Sequence, residues 1–282
     1  MASSEVSVCL TFDFDAISVW IGPRRSRSPN LIARGEFGEV GANRLVDLLA
    51  EYDVPSTWFI PGHTIDTYPQ VCKRVVAGGH EVGYHGYCHE SPSSKRPVDE
   101  ERAILAKSIE CIERLTGQAP VGHRVPGGNV GERWLGLLLE HGFSYDSSMA
   151  PNDYAPTYCR LGDVVRTDAA FGFGTPIDLV ELPFDWILDD WPYFTYELAA
   201  HHEGLRSPDE VFDVWSAEFD YLDEEVGSGV FVLTMHPQCI GRGSRMRMLR
   251  RLIEHIRSRD GVRFRTMADV AAQFRREQPS PS

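Results

Sequence analysis

Two aspartates two residues apart, Asp13 and Asp15 in LTFDFDAISVW, interrupt a run otherwise made of apolar and β-prone residues. The two-residue repeat of an extended chain sends both carboxylates out of the same face, so they converge. Converging carboxylates in a low-dielectric pocket repel, which calls for a cation beside them or a proton shared between them. The plain alternative is a strand that simply ends, with both groups solvated. Further along, GHEVGYHGYCHE holds His85 and His89 four residues apart, with Glu81 and Glu90 close by. A helical turn after the strand would align the two imidazoles. Two neutral imidazoles and one carboxylate make the ligand set of an open catalytic metal site, with room for water and substrate. His80, just before the strand, reads as a turn residue.

Three later segments add polar groups at strand ends. In GHRVPGG, Arg124 stands beside Pro126 and two glycines, where a guanidinium could hold a carboxylate ionised and aim it; an ordinary surface arginine is the alternative. His123 faces the other way and is expected to pack or bond elsewhere. VELPFDWILDDWPYF sets Asp185, Asp189 and Asp190 among Trp186 and Trp191, which suits a pocket wall with one polar anchor and equally a turn with packed tryptophans. FVLTMHPQCIGRGSR ends a strong β run at His236, where a general acid would stand. Arg242 follows, with Ser244 as the expected cap of a helix whose N-terminus could hold an anion. Trp186, Asp189, Asp190, Trp191 and Arg242 are therefore the candidate substrate contacts.

These residues need a scaffold that gathers strand ends. Short β-rich runs (VSVCLTFDF, STWFIP, HEVGYH, VGHRVP, SYDSS, VVRT, LVELPF, GVFVLTMHP, VRFRT) alternate with amphipathic stretches, the rhythm of parallel strands covered by helices. Leu105, Ile109, Ile112 and Leu115 mark one helix that stops at Gly117. Ser207-Pro208-Asp209-Glu210 reads as a capping box opening another, with Phe212, Trp215, Phe219, Leu222 and Val226 as its buried face. A last helix runs to about Glu277. Seven or eight β/α units without a linker or repeat predict an α/β fold, a distorted (β/α) barrel of about seven strands, as a single domain over residues 1–277. A doubly wound open sheet is the alternative. Residues 278–282, QPSPS, read as a disordered tail, and Gly22 to Val40 as a long functional loop.

Composition narrows the partners. With 41 acidic against 28 basic residues and a formal charge of −13, the chain is a poor match for nucleic acid. No stretch of about eighteen apolar residues suggests a membrane span, and MASSEVSVCLTF lacks the pattern of an export signal, so a cytoplasmic location is expected. Six cysteines scattered singly read as reduced thiols.

Taken in order, TFDFD, HGYCH, RVP, the LDD or DW segment and LTMH resemble the five motifs of the polysaccharide deacetylase superfamily, whose nodulation-factor deacetylase members have a distorted (β/α) barrel. The resemblance spans Val6 to Thr266. It implies that Asp15, His85 and His89 bind a divalent metal, usually zinc. It further implies that Asp13 is the general base, that Arg124 orients it, and that His236 is the general acid. Phe14 separates aspartates that are adjacent in many members, so base and ligand could be exchanged; Asp185, Asp189 and Asp190 compete as the partner of His236. The wording is most similar to a cytosolic branch of peptidoglycan-deacetylase-like proteins, cofactor-independent allantoinases and cyclic-imide hydrolases, which tends to form homotetramers. The expected activity is metal-dependent hydrolysis of a non-peptide carbon–nitrogen bond in a small amide, cyclic amide or imide. N-deacetylation of peptidoglycan or another glycan is the alternative, and a non-catalytic binding protein the second alternative. An open groove lined by Trp186 and Trp191 would favour the glycan.

Overall fold

The computed structural model describes residues 5–197 and 202–280. Nine strands form its main sheet: β1 (Val6–Asp13), β2 (Thr57–Ile60), β3 (Glu81–Tyr84), β4 (Gly122–His123), β5 (Tyr145–Asp146), β6 (Thr157–Leu161), β7 (Thr175–Glu181), β8 (Gly229–Met235) and β9 (Val262–Phe264). Their order is β8-β1-β2-β3-β4-β5-β7-β6, with β9 also on β1. Seven strands of this path, β8 through β7, run parallel, and only β6 is antiparallel, on β7. The order advances along the chain without the reversal of a doubly wound sheet, so the alternative topology is set aside. The sheet curls into a half barrel, and an isolated parallel bridge ties Asp189 to Thr234 of β8.

Seven longer helices accompany the sheet: α1 (Pro29–Tyr52), α2 (Pro69–Ala77), α3 (Val98–Thr116), α4 (Glu132–Glu140), α5 (Pro208–Tyr221), α6 (Gly243–Arg257) and α7 (Met267–Glu277). Alternation along β1 feeds two cores. Val8, Leu10, Phe12 and Phe14 pack outward with Trp58, Leu45, Leu49 and Leu249, while Cys9 turns inward onto Phe59, Tyr145, Val180 and Met267. The capping box at Ser207 forms in full, and Gly117 ends α3 with φ of 82°.

Three expectations need correction. Gly22 to Val40 is not a long loop, because α1 begins at Pro29. Glycines 35, 38 and 41 of this helix are contact points: a Cβ on Gly35 would lie 2.6 Å from the Ala16 carbonyl oxygen, and one on Gly41 2.0 Å from that of Pro237. They let the helix seat directly against the two turns that carry the site. Val226 is 45% exposed instead of buried, because the helix widens into a π turn over Leu222–Val226 and carries it off the apolar face. VVRT contributes only an isolated bridge at Val164, paired with Gly172. Residues 157–161, unassigned by pattern, form β6 instead. Of the tail, residues 281–282 lie outside the described residues; Gln278 accepts a hydrogen bond from the Tyr158 hydroxyl at 2.7 Å. Among the described residues no helix is long and apolar enough to cross a membrane.

Candidate metal centre and catalytic cleft

β1 delivers both aspartates as its period requires. Asp13 is its last residue, and Asp15 follows on the same side, each almost fully buried. The turn beyond is locked by the Asp15 carbonyl, which accepts from Ser18 N (3.0 Å), Ser18 Oγ (2.7 Å) and Thr64 Oγ1 (2.9 Å). It holds Ala16 at φ of 49°, uncommon for a residue with a Cβ.

The histidines arrive differently from expectation. No helical turn joins His85 to His89: Gly86 and His89 adopt φ of 76° and 60°, and the Glu90 carboxylate closes the loop by accepting from Tyr87 N (2.9 Å) and Cys88 N (2.7 Å). The turn still brings both rings to Asp15. His85 Nε2 lies 3.3 Å and His89 Nε2 3.6 Å from Asp15 Oδ1, and one ligand atom from each residue falls within 4.8 Å of the others. His85 Nδ1 donates to the Arg124 carbonyl at 2.8 Å, which leaves the Nε2 lone pair facing Asp15.

Two features of the cluster fit a cation. Asp15 Oδ1 is buried without a hydrogen-bond partner. Burial works against ionising this carboxyl, but His89 and His85 outweigh it and hold Asp15 well below the usual carboxylate range. Burial lowers His89 to about 4, leaving it in the neutral form that coordinates metal. His85 is raised; burial opposes the shift, and Asp13 and Asp15 override it.

Asp13 is gripped from the opposite side. Arg124 Nη1 donates to Asp13 Oδ1 (2.9 Å) and Thr11 Oγ1 (2.7 Å), while its Nε and Nη2 donate to Ser147 O (3.0 Å) and Ser147 Oγ (2.9 Å). Arg124 is 1% exposed and lies over the Phe59 ring, so the surface alternative fails. Thr11 and Ser147 were missed; each reads as an ordinary strand residue, and only the third dimension puts it on a guanidinium. His123 faces away as expected, bonded to Asp146 Oδ1 at 2.6 Å and Trp134 Nε1 at 2.9 Å.

His236 directly follows β8, and among the three competing aspartates it meets Asp190. Its Nδ1 bonds Asp190 Oδ1 at 2.7 Å, and its backbone N–H reaches both carboxylate oxygens at 3.0 Å. Asp189 stands 3.7 Å off, accepting from Trp191 N, and Asp185 is exposed and caps a short turn through Ile187 N. Burial would lower the His236 pKa, but Asp189 and Asp190 outweigh it and raise it to about 10.

These groups line a cleft of about 300 Å³ with Val19, Pro23, Arg24, Phe184, Trp186, Asp189 and Trp191. Trp186 sits on the rim, half exposed, and Trp191 packs edge-on to His236 with ring centroids 5.0 Å apart. Two expected substrate contacts lie elsewhere. Asp190 is fully buried behind His236, and Arg242 lies outside the cleft, stacked 3.9 Å over Phe37, because the turn after His236 carries it past the Trp191 wall.

Residues 3–145 match the family model described as polysaccharide deacetylase. A peptidoglycan deacetylase of Helicobacter pylori is 38% identical over 98% of this chain and 99% of its own. A solved structure from Mycobacterium smegmatis, assigned to the polysaccharide deacetylases, superposes with a TM-score of 0.87 at 33% identity, covering 100% of this chain and 94% of that one. The solved PuuE allantoinase shares the fold, with a TM-score of 0.82 at 21% identity over 100% and 94% of the two chains. The chain belongs to the polysaccharide deacetylase family and is a hydrolase of carbon–nitrogen bonds other than peptide bonds.

Proposed function

We propose that this protein is a metal-dependent N-deacetylase of an N-acetylated glycan. The observation that carries this reading is the convergence on one cleft of three units: Asp15 with His85 and His89, Asp13 with Arg124, and His236 with Asp190. Asp15, His85 and His89 would hold the metal, and two imidazoles with one carboxylate suit zinc. When bound, such a cation supplies Lewis acidity, lowering the pKa of water and polarising an amide carbonyl. Asp13, aimed by the Arg124 guanidinium, takes a proton from the attacking water. His236, kept protonated by Asp190, gives one to the departing nitrogen. Trp186 on the open rim offers a flat face to a sugar ring, and Trp191 walls the pocket beside the acid.

The substrate assignment leans on the near full-length similarity to a peptidoglycan deacetylase. The small cleft, with Pro23 and Arg24 on its wall, favours a second reading in which a compact cyclic imide or amide is opened by the same groups. We further propose, from the family resemblance, a cytoplasmic homotetramer, which light scattering on the purified protein tests. The deciding assay is a panel of N-acetylglucosamine oligomers, succinimide, hydantoin and allantoin, run with zinc, manganese and chelator. Acetate release from the oligomers supports the first reading, and ring opening the second. Undiminished turnover in both Asp13→Ala and His236→Ala would overturn the catalytic assignment.

A further inference from the structure

A second cavity, of about 220 Å³, lies on the far side of Trp191 from the metal cluster. Three arginines, Arg34, Arg242 and Arg245, stand on its wall, and among its described lining residues there is no Asp or Glu. That is a concentration of one charge in a chain whose formal charge is −13. The arginines are held by carbonyls and rings. Arg34 Nη1 donates to Tyr196 O at 2.8 Å, Arg245 Nη1 donates to Cys239 O at 2.8 Å, and Arg242 stacks on Phe37. Such contacts orient a guanidinium without neutralising it, although Arg245 also feels the buried Asp190 carboxylate behind the wall.

Two buried polar groups on the same wall lack partners. Gln238 is 6% exposed, yet neither its Nε2 nor its Oε1 is hydrogen-bonded; Trp20 is 3% exposed, and its Nε1 is unpaired as well. Native interiors leave few such groups unsatisfied, because an unpaired buried amide carries its whole desolvation penalty. Trp191, Phe194 and Leu205 give the wall apolar faces that cannot satisfy them, and neither group bonds the Thr195 or Tyr196 hydroxyl on the same wall. Arginine forks and N–H donors select oxyanions. The free Gln238 Oε1 adds a demand that a bare oxyanion does not meet: the ligand must also donate.

We propose that this cavity binds a small oxyanion carrying its own O–H or N–H donor, of which hydrogen phosphate is the simplest, at a site separate from the hydrolytic cleft. At about 220 Å³ it is smaller than the ~300–1,000 Å³ of cavities for larger ligands, so it takes a compact anion and no glycan chain. Trp191 belongs to both walls and packs on His236, so an occupant here braces the side of the cleft that holds the acid.

The test is calorimetric titration of the metal-loaded protein with sodium phosphate and with sodium sulfate, ionic strength matched with sodium chloride. The expected result is one saturable site that prefers phosphate. Arg242→Ala should weaken phosphate roughly tenfold, the scale of one charge-assisted bond. Gln238→Leu should abolish the preference for phosphate over sulfate while leaving the phosphate-free melting temperature unchanged or higher, since it removes an unpaired buried amide. No saturable heat overturns the proposal. So does phosphate binding that survives both variants, which would place the anion on the cation of the cleft. Dissociation of an oligomer by Arg242→Ala, with no phosphate binding in the parent, would make the cavity an intersubunit surface and equally sink it.

Discussion

Replacing Asp190 with Asn removes a charge from His236 while leaving the geometry nearly intact. Asp190 Oδ1 already accepts from both the His236 ring and its backbone N–H, at 2.7 and 3.0 Å, and an amide oxygen in that place keeps both bonds, while the contact of the same N–H with Oδ2 is lost to the amide nitrogen. What is lost is the charge assistance, the excess of a charged over a neutral bond, about 1–1.5 kcal/mol. At 1.36 kcal/mol per unit, the His236 pKa falls by about 1 unit from its value of about 10. It does not collapse further, because Asp189 remains 3.7 Å away. A group raised in the folded protein is protonated below that pKa and loses its proton as pH climbs through it. The acid is therefore competent at neutral pH and lost on the alkaline side. The assay is the pH dependence of kcat/KM for parent and variant. The alkaline limb should move down by about 1 unit, while activity near neutrality changes little. A cation in the neighbouring Asp15 cluster lowers both limbs together, so the difference is the observable. A limb that stays in place, or moves up, refutes the assignment of His236 as an acid tuned by Asp190.

Four further outcomes follow from other parts of the structure. Asp15→Ala or His89→Ala should bring bound metal, measured by mass spectrometry of the purified protein, below about a tenth of the parent, and a strong chelator should abolish parental turnover. Arg124→Met strands the Asp13 carboxylate in a buried site and should cost about 3–5 kcal/mol in denaturant unfolding, much of it restored by adding Asp13→Asn. Gly41→Ala places a Cβ 2.0 Å from the Pro237 oxygen; it should cost about 1–3 kcal/mol and lower kcat, because Pro237 follows the acid directly. Ser207→Ala breaks the capping box of α5 and should cost about 1 kcal/mol in thermal unfolding with kcat unchanged.

Much of the site was legible because strand periodicity is a strict rule. Same-face spacing placed Asp13 and Asp15 together, and strand ends marked Arg124 and His236. What sequence did not give was the second partner of each group. Which aspartate meets His236 depends on a turn that buries Asp190, aims Asp189 at Trp191 N and leaves Asp185 in solvent, three outcomes within six residues. Helical spacing would pair His85 with His89, but a loop with two left-handed residues delivers the convergence instead. The stretch before Gly41 reads as a loop and is helix from Pro29; its glycines serve close approach to the turns of the site, a use that one sequence does not separate from chain freedom.

The unequal roles of the two aspartates rest on what surrounds them, since their strand treats them alike. Asp13 faces a guanidinium that satisfies one oxygen at 2.9 Å. Asp15 has no arginine: its Oδ1 meets only imidazole nitrogens at 3.3 and 3.6 Å and is otherwise unpaired. A carboxylate already neutralised by arginine has little to gain from a cation, whereas a buried, unpaired oxygen between two imidazoles has much. Phe14, which made the assignment interchangeable in the sequence, points outward into the Trp58 cluster and separates the two functions instead of confusing them. The exchange of roles that its insertion allowed would require Arg124 to sit on Asp15. Arg124 is tied to Thr11 and Ser147 on the Asp13 side, so its other bonds oppose that move.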